Sequence, residues 1–138
     1  GVEFVWHIVG DGEEKAANEE AIEKNNVSQQ VMMLGAKGNP HFYIKRANLY
    51  VCLSSSEACP RVINEAKILG TPVVSTDFPT VYEYIEDGVN GIIAPLNELS
   101  DAITNILSDN QLYVLIKHEI GSYHFDNSLL LMQIDRLL

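Results

Sequence analysis

Five short apolar runs alternate with helix-forming stretches over the first 95 residues, and that alternation restricts the fold more than any other feature of the chain. The runs are "EFVWHIVG" (3–10), "QVMMLG" (30–35), "NLYVCLS" (48–54), "TPVVST" (71–76) and a last short strand inside "DGVNGIIAP" (87–95). Between them come "EEKAANEEAIEKN" (13–25), rich in good helix formers with acids in its first turn, and "NPHFYIKRA" (39–47), with Pro40 near its start. A helix from Pro60 to Leu69, stopped by Gly70, and a short helix over 79–86 complete the alternation. Strand–helix alternation of this kind demands crossovers between parallel strands. The expected class is therefore α/β: a Rossmann-like parallel sheet sandwiched by helices. After Pro95 the pattern turns all-helical, over about 97–108, 110–121 and 127–138, so a helical tail spans about 97–138 of what reads as one domain, 1–138. The last of these segments, "FDNSLLLMQIDRLL", puts Leu130, Ile134 and Leu137 on one stripe, expected to pack on its own domain.

Composition removes several classes of function. A chain of 138 residues can bury a core without staples, and 46% hydrophobic with 20% charged residues describes a globular protein. The longest apolar runs, "LYVCL" and "LLLM", are too short to span a bilayer. No charged-then-apolar leader opens the sequence, and Cys52 and Cys59 form neither a CxxC pair nor a disulfide framework. Reduced thiols in a cytosolic protein are expected, which leaves the sequon at Asn26 without weight. The chain opens at Gly1 almost directly into an apolar strand, which reads as a fragment of something longer. A net charge of −10 argues against a nucleic-acid partner, and it sits awkwardly with any anionic ligand. His7, His41, His118 and His124 are scattered without metal spacing, so neither a metal nor a cofactor is expected.

Ligands of parallel α/β sheets sit beyond the carboxyl ends of the strands. Those ends are "GDG" (10–12), "GAKG" (35–38), "SSSEACP" (54–60) and "TDFP" (76–79), expected to face one rim. In the third loop, Pro60 starts a helix whose N–H groups at Arg61, Val62 and Ile63, with the helix dipole, make an anion site; Arg61 adds a charge-assisted contact. At about 100° per residue, Val62, Ile63, Ala66 and Leu69 share the apolar face, with Glu65 about 40° from Leu69 and Asn64 and Lys67 pointing opposite the core. Glu65 then has two readings: an acid favoured by the helix dipole, or a carboxylate accepting two sugar hydroxyls. Glu57, eight positions earlier, is either an ordinary loop acid or a ligand group at a strand's carboxyl end.

The segments "IVGDG", "MLG", "RANLYVCLSSSEACPRVINEAKILGTPVVSTD" and "EYIEDGVNGIIAP", in this order and spacing, resemble the family-4 retaining glycosyltransferases, or glycosyl transferases group 1. The resemblance covers about residues 3–108 and is to the C-terminal, nucleotide-sugar-binding half of the two-domain GT-B fold. It implies transfer of a hexosyl group from a nucleotide-diphosphate sugar to a glycan or lipid-linked acceptor, with retention at the anomeric carbon. Glu65 would hold the ribose hydroxyls, and Glu57, the first glutamate of the E-x7-E pair and the catalytic candidate, would face the donor sugar and the phosphate end. Backbone around Cys59, Pro60, Arg61 and Val62 would approach the phosphates, Gly35, Ala36 and Lys37 would lie beside the base, and the Gly10–Gly12 turn would belong to the same donor site. The wording "TDFPTVYEYI" is like the branch that builds capsular and other surface polysaccharides.

Two departures stand out. The family's domain normally begins with a further strand and helix carrying an Arg and a Lys for the diphosphate, and this chain starts after them. Where many members show a Gly-Gly turn after the fourth strand, this one has Phe78-Pro79, with Glu83 in the familiar place beyond it. The acceptor half is absent too, so the expectation is a donor-binding domain inactive alone, with an exposed sheet edge that favours self-association. A dehydrogenase is a poor rival: Lys15 stands where the dinucleotide fingerprint needs a small residue, and "MMLGAKG" supplies no ribose-binding acid. A nucleotide-sugar 2-epimerase of the same fold and a non-catalytic nucleotide-binding module are the remaining alternatives.

Overall fold

The structure, a computed structural model, describes residues 2–122. The chain divides into two compact units, Gly1–Tyr43 and Ile44–Leu138. In the first, β1 (Trp6–Val9) and β2 (Val31–Gly35) pair in parallel around the helix α1 (Lys15–Lys24) in sequence, with Trp6 opposite Val31 and a register shift between Ile8 and Val9. The Gly10 N–H donates to the Gly35 carbonyl at 3.0 Å, so the two strands end together. Helix α1 buries no residue. Its Ala, Glu and Lys content favours the helix, in which only Lys15 and Ile22 are partly covered. The short helix α2 (His41–Arg46) follows β2.

The second unit carries β3 (Tyr50–Cys52), α3 (Arg61–Ile68), β4 (Val73–Thr76), a 3-10 helix (Pro79–Glu83), β5 (Ile92–Ala94), α4 (Leu99–Ser108) and α5 (Asn110–Gly121). The strands form a parallel sheet in the order β3-β4-β5. All four residues of the central strand β4 are buried, as expected of a parallel strand covered on both faces. Successive side chains of a strand point to opposite faces. Val73 thus joins Ile63 and Ala66 of α3 with Cys52, Phe78, Val81 and Ile85, while Val74 joins Ala94, Leu99, Ile106 and Ile116 on the side of α4 and α5.

Helix α5 is started by Asp109, whose carboxylate accepts from the Gln111 and Leu112 N–H groups at 2.9 and 3.1 Å. The loop before β5 turns at Gly88, at φ +73°, whose N–H reaches the Gly91 carbonyl at 2.9 Å. Gly91 is there because nothing larger fits: a Cβ would lie 2.9 Å from Ile85 Cγ2 and 3.1 Å from the Val73 carbonyl oxygen.

The α/β class, the parallel pairing and the element order agree with the sequence reading, and each strand is shorter than its apolar run. The five strands pair as one two-stranded and one three-stranded sheet. The expected helix over 127–138 lies outside the described residues. Two assignments on α3 are corrected. Val62, placed on the apolar face, is 38% exposed, because the buried stripe is centred on Ile63 and Ala66. Lys67, placed opposite the core, is buried: it follows Ile63 by four residues, about 40° around the helix, and its ammonium donates to the Tyr84 carbonyl at 2.7 Å. That bond satisfies the carbonyl of the residue that follows the 3-10 segment, and burial lowers the Lys67 pKa.

Candidate functional site

The carboxyl ends of β3 and β4 are stitched together by hydroxyls. The Ser54 N–H donates to Thr76 Oγ1 at 2.9 Å, and the Thr76 hydroxyl donates back to the Ser54 carbonyl at 2.5 Å. Held in this way, Ser54 donates through Oγ to Glu57 Oε1 at 2.5 Å. The Thr80 hydroxyl, from the 3-10 segment after β4, donates to the Glu57 carbonyl. Glu57 is half-buried, fixed by one hydroxyl at its carboxylate and by another at its backbone. Behind Ser54 lies the buried Cys52 thiol, 3.7 Å from Ser54 Oγ. Since the Ser54 proton is committed to Glu57, Cys52 is the donor in that contact. Burial pushes the Cys52 thiol up, which keeps that proton in place.

The start of α3 has a particular shape. Pro60 sits at φ −75° and ψ 68°, the geometry of an inverse γ-turn, and the Arg61 N–H closes it on the Cys59 carbonyl at 2.8 Å. The Ile63 N–H is engaged with the Pro60 carbonyl at 3.0 Å. Two of the three N–H groups expected to be open to an anion are thus used locally. Pro60 is buried, whereas Cys59, Arg61 and Val62 are exposed at this end of the helix. The Tyr84 hydroxyl lies 3.4 Å from Cys59 Sγ and joins the far end of the 3-10 segment to the same loop.

Glu65 is half-buried on α3. Burial is the main cause that pushes the Tyr50 phenol up to about 12, and negative charge at Cys52, Glu57 and Glu65 adds to it. Glu57 precedes α3 in the loop after β3 and Glu65 lies within the helix, with the start of α3 between them in sequence.

The remaining expected residues belong to the first unit. Gly10 and Gly12 are exposed in the turn after β1, and Gly35, Ala36 and Lys37 follow the end of β2. Beside them Lys37, Gly38, Asn39, Phe42 and Tyr43 line a shallow cleft of about 290 Å³, with the Phe42 and Tyr43 rings edge to face at 5.4 Å. Among the described residues no group of three His, Cys, Asp or Glu side chains is placed to hold a metal ion. No described helix is long and apolar enough to cross a membrane.

Ser54, Thr76 and Thr80 were not singled out from the sequence. Ser54 carried only its nearness to Glu57, three residues on, as a signal. Thr80, 23 residues from Glu57, carried none.

Comparison with known proteins places this geometry in a family. The model for "Glycosyl transferases group 1" matches residues 1–120. An uncharacterised glycosyltransferase of Methanocaldococcus jannaschii is 38% identical over 96 residues, 70% of this chain and 22% of that protein. The lipopolysaccharide core biosynthesis glycosyltransferase LpsE of Rhizobium meliloti is 30% identical over 112 residues, 79% of this chain and 33% of that protein. Among solved structures, Anabaena Alr3699/HepE in complex with UDP-glucose superposes with a TM-score of 0.83 at 28% identity, covering 96% of this chain and 40% of that one. The chain thus spans well under half the length of these relatives. With its parallel α/β architecture and a family match across 1–120, the chain belongs to the glycosyl transferases group 1 family.

Proposed function

We propose that this chain is the donor-binding part of a retaining hexosyltransferase that uses a nucleotide-diphosphate sugar. In the reaction the bond from the anomeric carbon to the diphosphate breaks, a bond to an acceptor hydroxyl oxygen forms, and the hydroxyl proton is released. A glycan or lipid-linked acceptor in surface polysaccharide biosynthesis fits the relatives, of which LpsE is named for lipopolysaccharide core synthesis and VipC/TviE of Salmonella typhi for Vi polysaccharide. Two free thiols, Cys52 and Cys59, suit a cytoplasmic setting.

The observation that carries this reading is Glu57, held by two hydroxyls in the loop after β3 and eight residues before Glu65 on α3, in a chain whose family match spans residues 1–120. Glu65, on α3, is suited to accept the two ribose hydroxyls, and Glu57 to accept a hydroxyl of the transferred sugar. UDP and UDP-glucose complexes of the Anabaena relative favour a uridine donor as the first to try. Of the three N–H groups expected at the start of α3, those of Arg61 and Ile63 are engaged, and Pro79 has none to give.

Calorimetric or NMR titration of the chain with UDP and UDP-glucose tests the reading, with GDP and ADP and their sugars as comparators. Weak binding in the millimolar range, about −4 kcal/mol, is expected. Glu65→Gln should weaken nucleotide binding about tenfold, the scale of a hydrogen bond to a charged acceptor. Unchanged affinity in Glu65→Gln would take the ribose role away from that residue.

A further inference from the structure

We propose that Ser54 and Thr80 are positioning residues that together hold Glu57 in the orientation that accepts a hydroxyl of the transferred sugar. The inference rests on the donor reading above and goes beyond it, because neither residue is needed for nucleotide binding. Ser54 fixes the carboxylate at Oε1, leaving Oε2 to a ligand, and Thr80 fixes the backbone carbonyl of the same residue. With the backbone anchored by Thr80 and the carboxylate by Ser54, the side chain between them has few rotamers, which is how a half-buried loop acid becomes a directional acceptor.

The departure at Phe78-Pro79 explains where Thr80 comes from. Phe78 is 2% exposed and locked in the core beside Val81 and Ile85, and Pro79 opens a 3-10 helix. A flexible turn there would leave its backbone to a ligand. The buried Phe78 and the 3-10 segment instead set the Thr80 hydroxyl against the Glu57 loop, and the Tyr84 hydroxyl ties the end of that segment to Cys59. Ser54 in turn is locked to Thr76 in both directions, so the brace runs back into the buried central strand.

Two measurements on the chain separate this proposal from the donor reading. Backbone relaxation should give Glu57 an order parameter near ~0.85 in the wild type, falling below about 0.6 in a Ser54→Ala, Thr80→Val double variant while β4 stays rigid. Ser54→Thr and Thr80→Ser, which keep the hydroxyls, should restore it. Titration should then find UDP affinity within about twofold of wild type in the double variant, and the extra affinity of UDP-glucose over UDP reduced about tenfold. A Glu57 that stays rigid in the double variant, or equal losses for UDP and UDP-glucose, overturns the proposal. If the wild type binds neither ligand, the donor reading fails and takes the sugar-orienting role with it, while relaxation still decides whether the two hydroxyls hold Glu57.

Discussion

The two units use similar strands and stabilise them differently. In the first, β1 and β2 pair in parallel beside a helix that buries nothing, and every buried apolar residue among those described lies in the second unit. There β4 is covered on both faces, by the Ile63, Ala66 and Phe78 side and by the Ile106 and Ile116 side. A two-stranded pair without a packed face is marginal in water, whereas a sheet between two apolar layers is cooperative. The lesson is that hydrogen-bonded strands mark where a fold exists, while burial marks where its stability resides.

The contrast can be broken first by a core truncation. Ile106→Ala, at a fully buried site, should cost about 2–5 kcal/mol, against about 0.5 kcal/mol or less for Met32→Ala on β2, where the side chain is 39% exposed. Urea unfolding of both variants checks this, and hydrogen exchange adds the local view, with Val74 protected about a hundredfold or more beyond Ile8. Equal costs would mean that the two units share one stability.

Gly91→Ala sharpens the comparison within the second unit. The added methyl meets Ile85 Cγ2 at 2.9 Å and the Val73 carbonyl oxygen at 3.1 Å, so either β4 or the turn must shift. A loss of about 1–3 kcal/mol in thermal unfolding is expected, the cost of overpacking a filled core. A neutral result would mean that the loop before β5 yields more easily than the core beneath it.

The last effect, the pH response of Tyr50, is confined to alkaline conditions. Its phenol is raised from the ordinary 10.0 to about 12, chiefly by burial, so the folded state holds this proton more tightly than the unfolded chain. The stability it contributes is complete below pH 10 and is lost as pH rises from 10 to about 12. Tyr50→Phe should flatten the stability profile over that window, measured by unfolding at a series of alkaline pH values. An unchanged slope would show that the phenol is ordinary and that the two carboxylates do not act on it.

How much of the candidate site was legible depended on how local its chemistry is. Glu57 and Glu65 stood out because strand end, proline and helix follow one another within thirteen residues, 54–66. Lys67 was misread because residue type ranks a lysine as solvent-facing, while its spacing four residues after Ile63 already placed it on the buried stripe. The γ-turn at Pro60 was equally invisible, since proline sets φ but leaves ψ to its surroundings.

Local chemistry along the chain accounts for the element order, the α/β class and the pair of glutamates, because hydrophobic period, helix propensity and turn residues act over a few positions. Tertiary packing alone decided which hydroxyls meet Glu57 and Ser54 and which carbonyl the Lys67 ammonium reaches. Ser54–Thr76, Lys67–Tyr84 and Thr80–Glu57 join residues 22, 17 and 23 apart, and a bond across that distance exists only once β4 and its neighbours have packed.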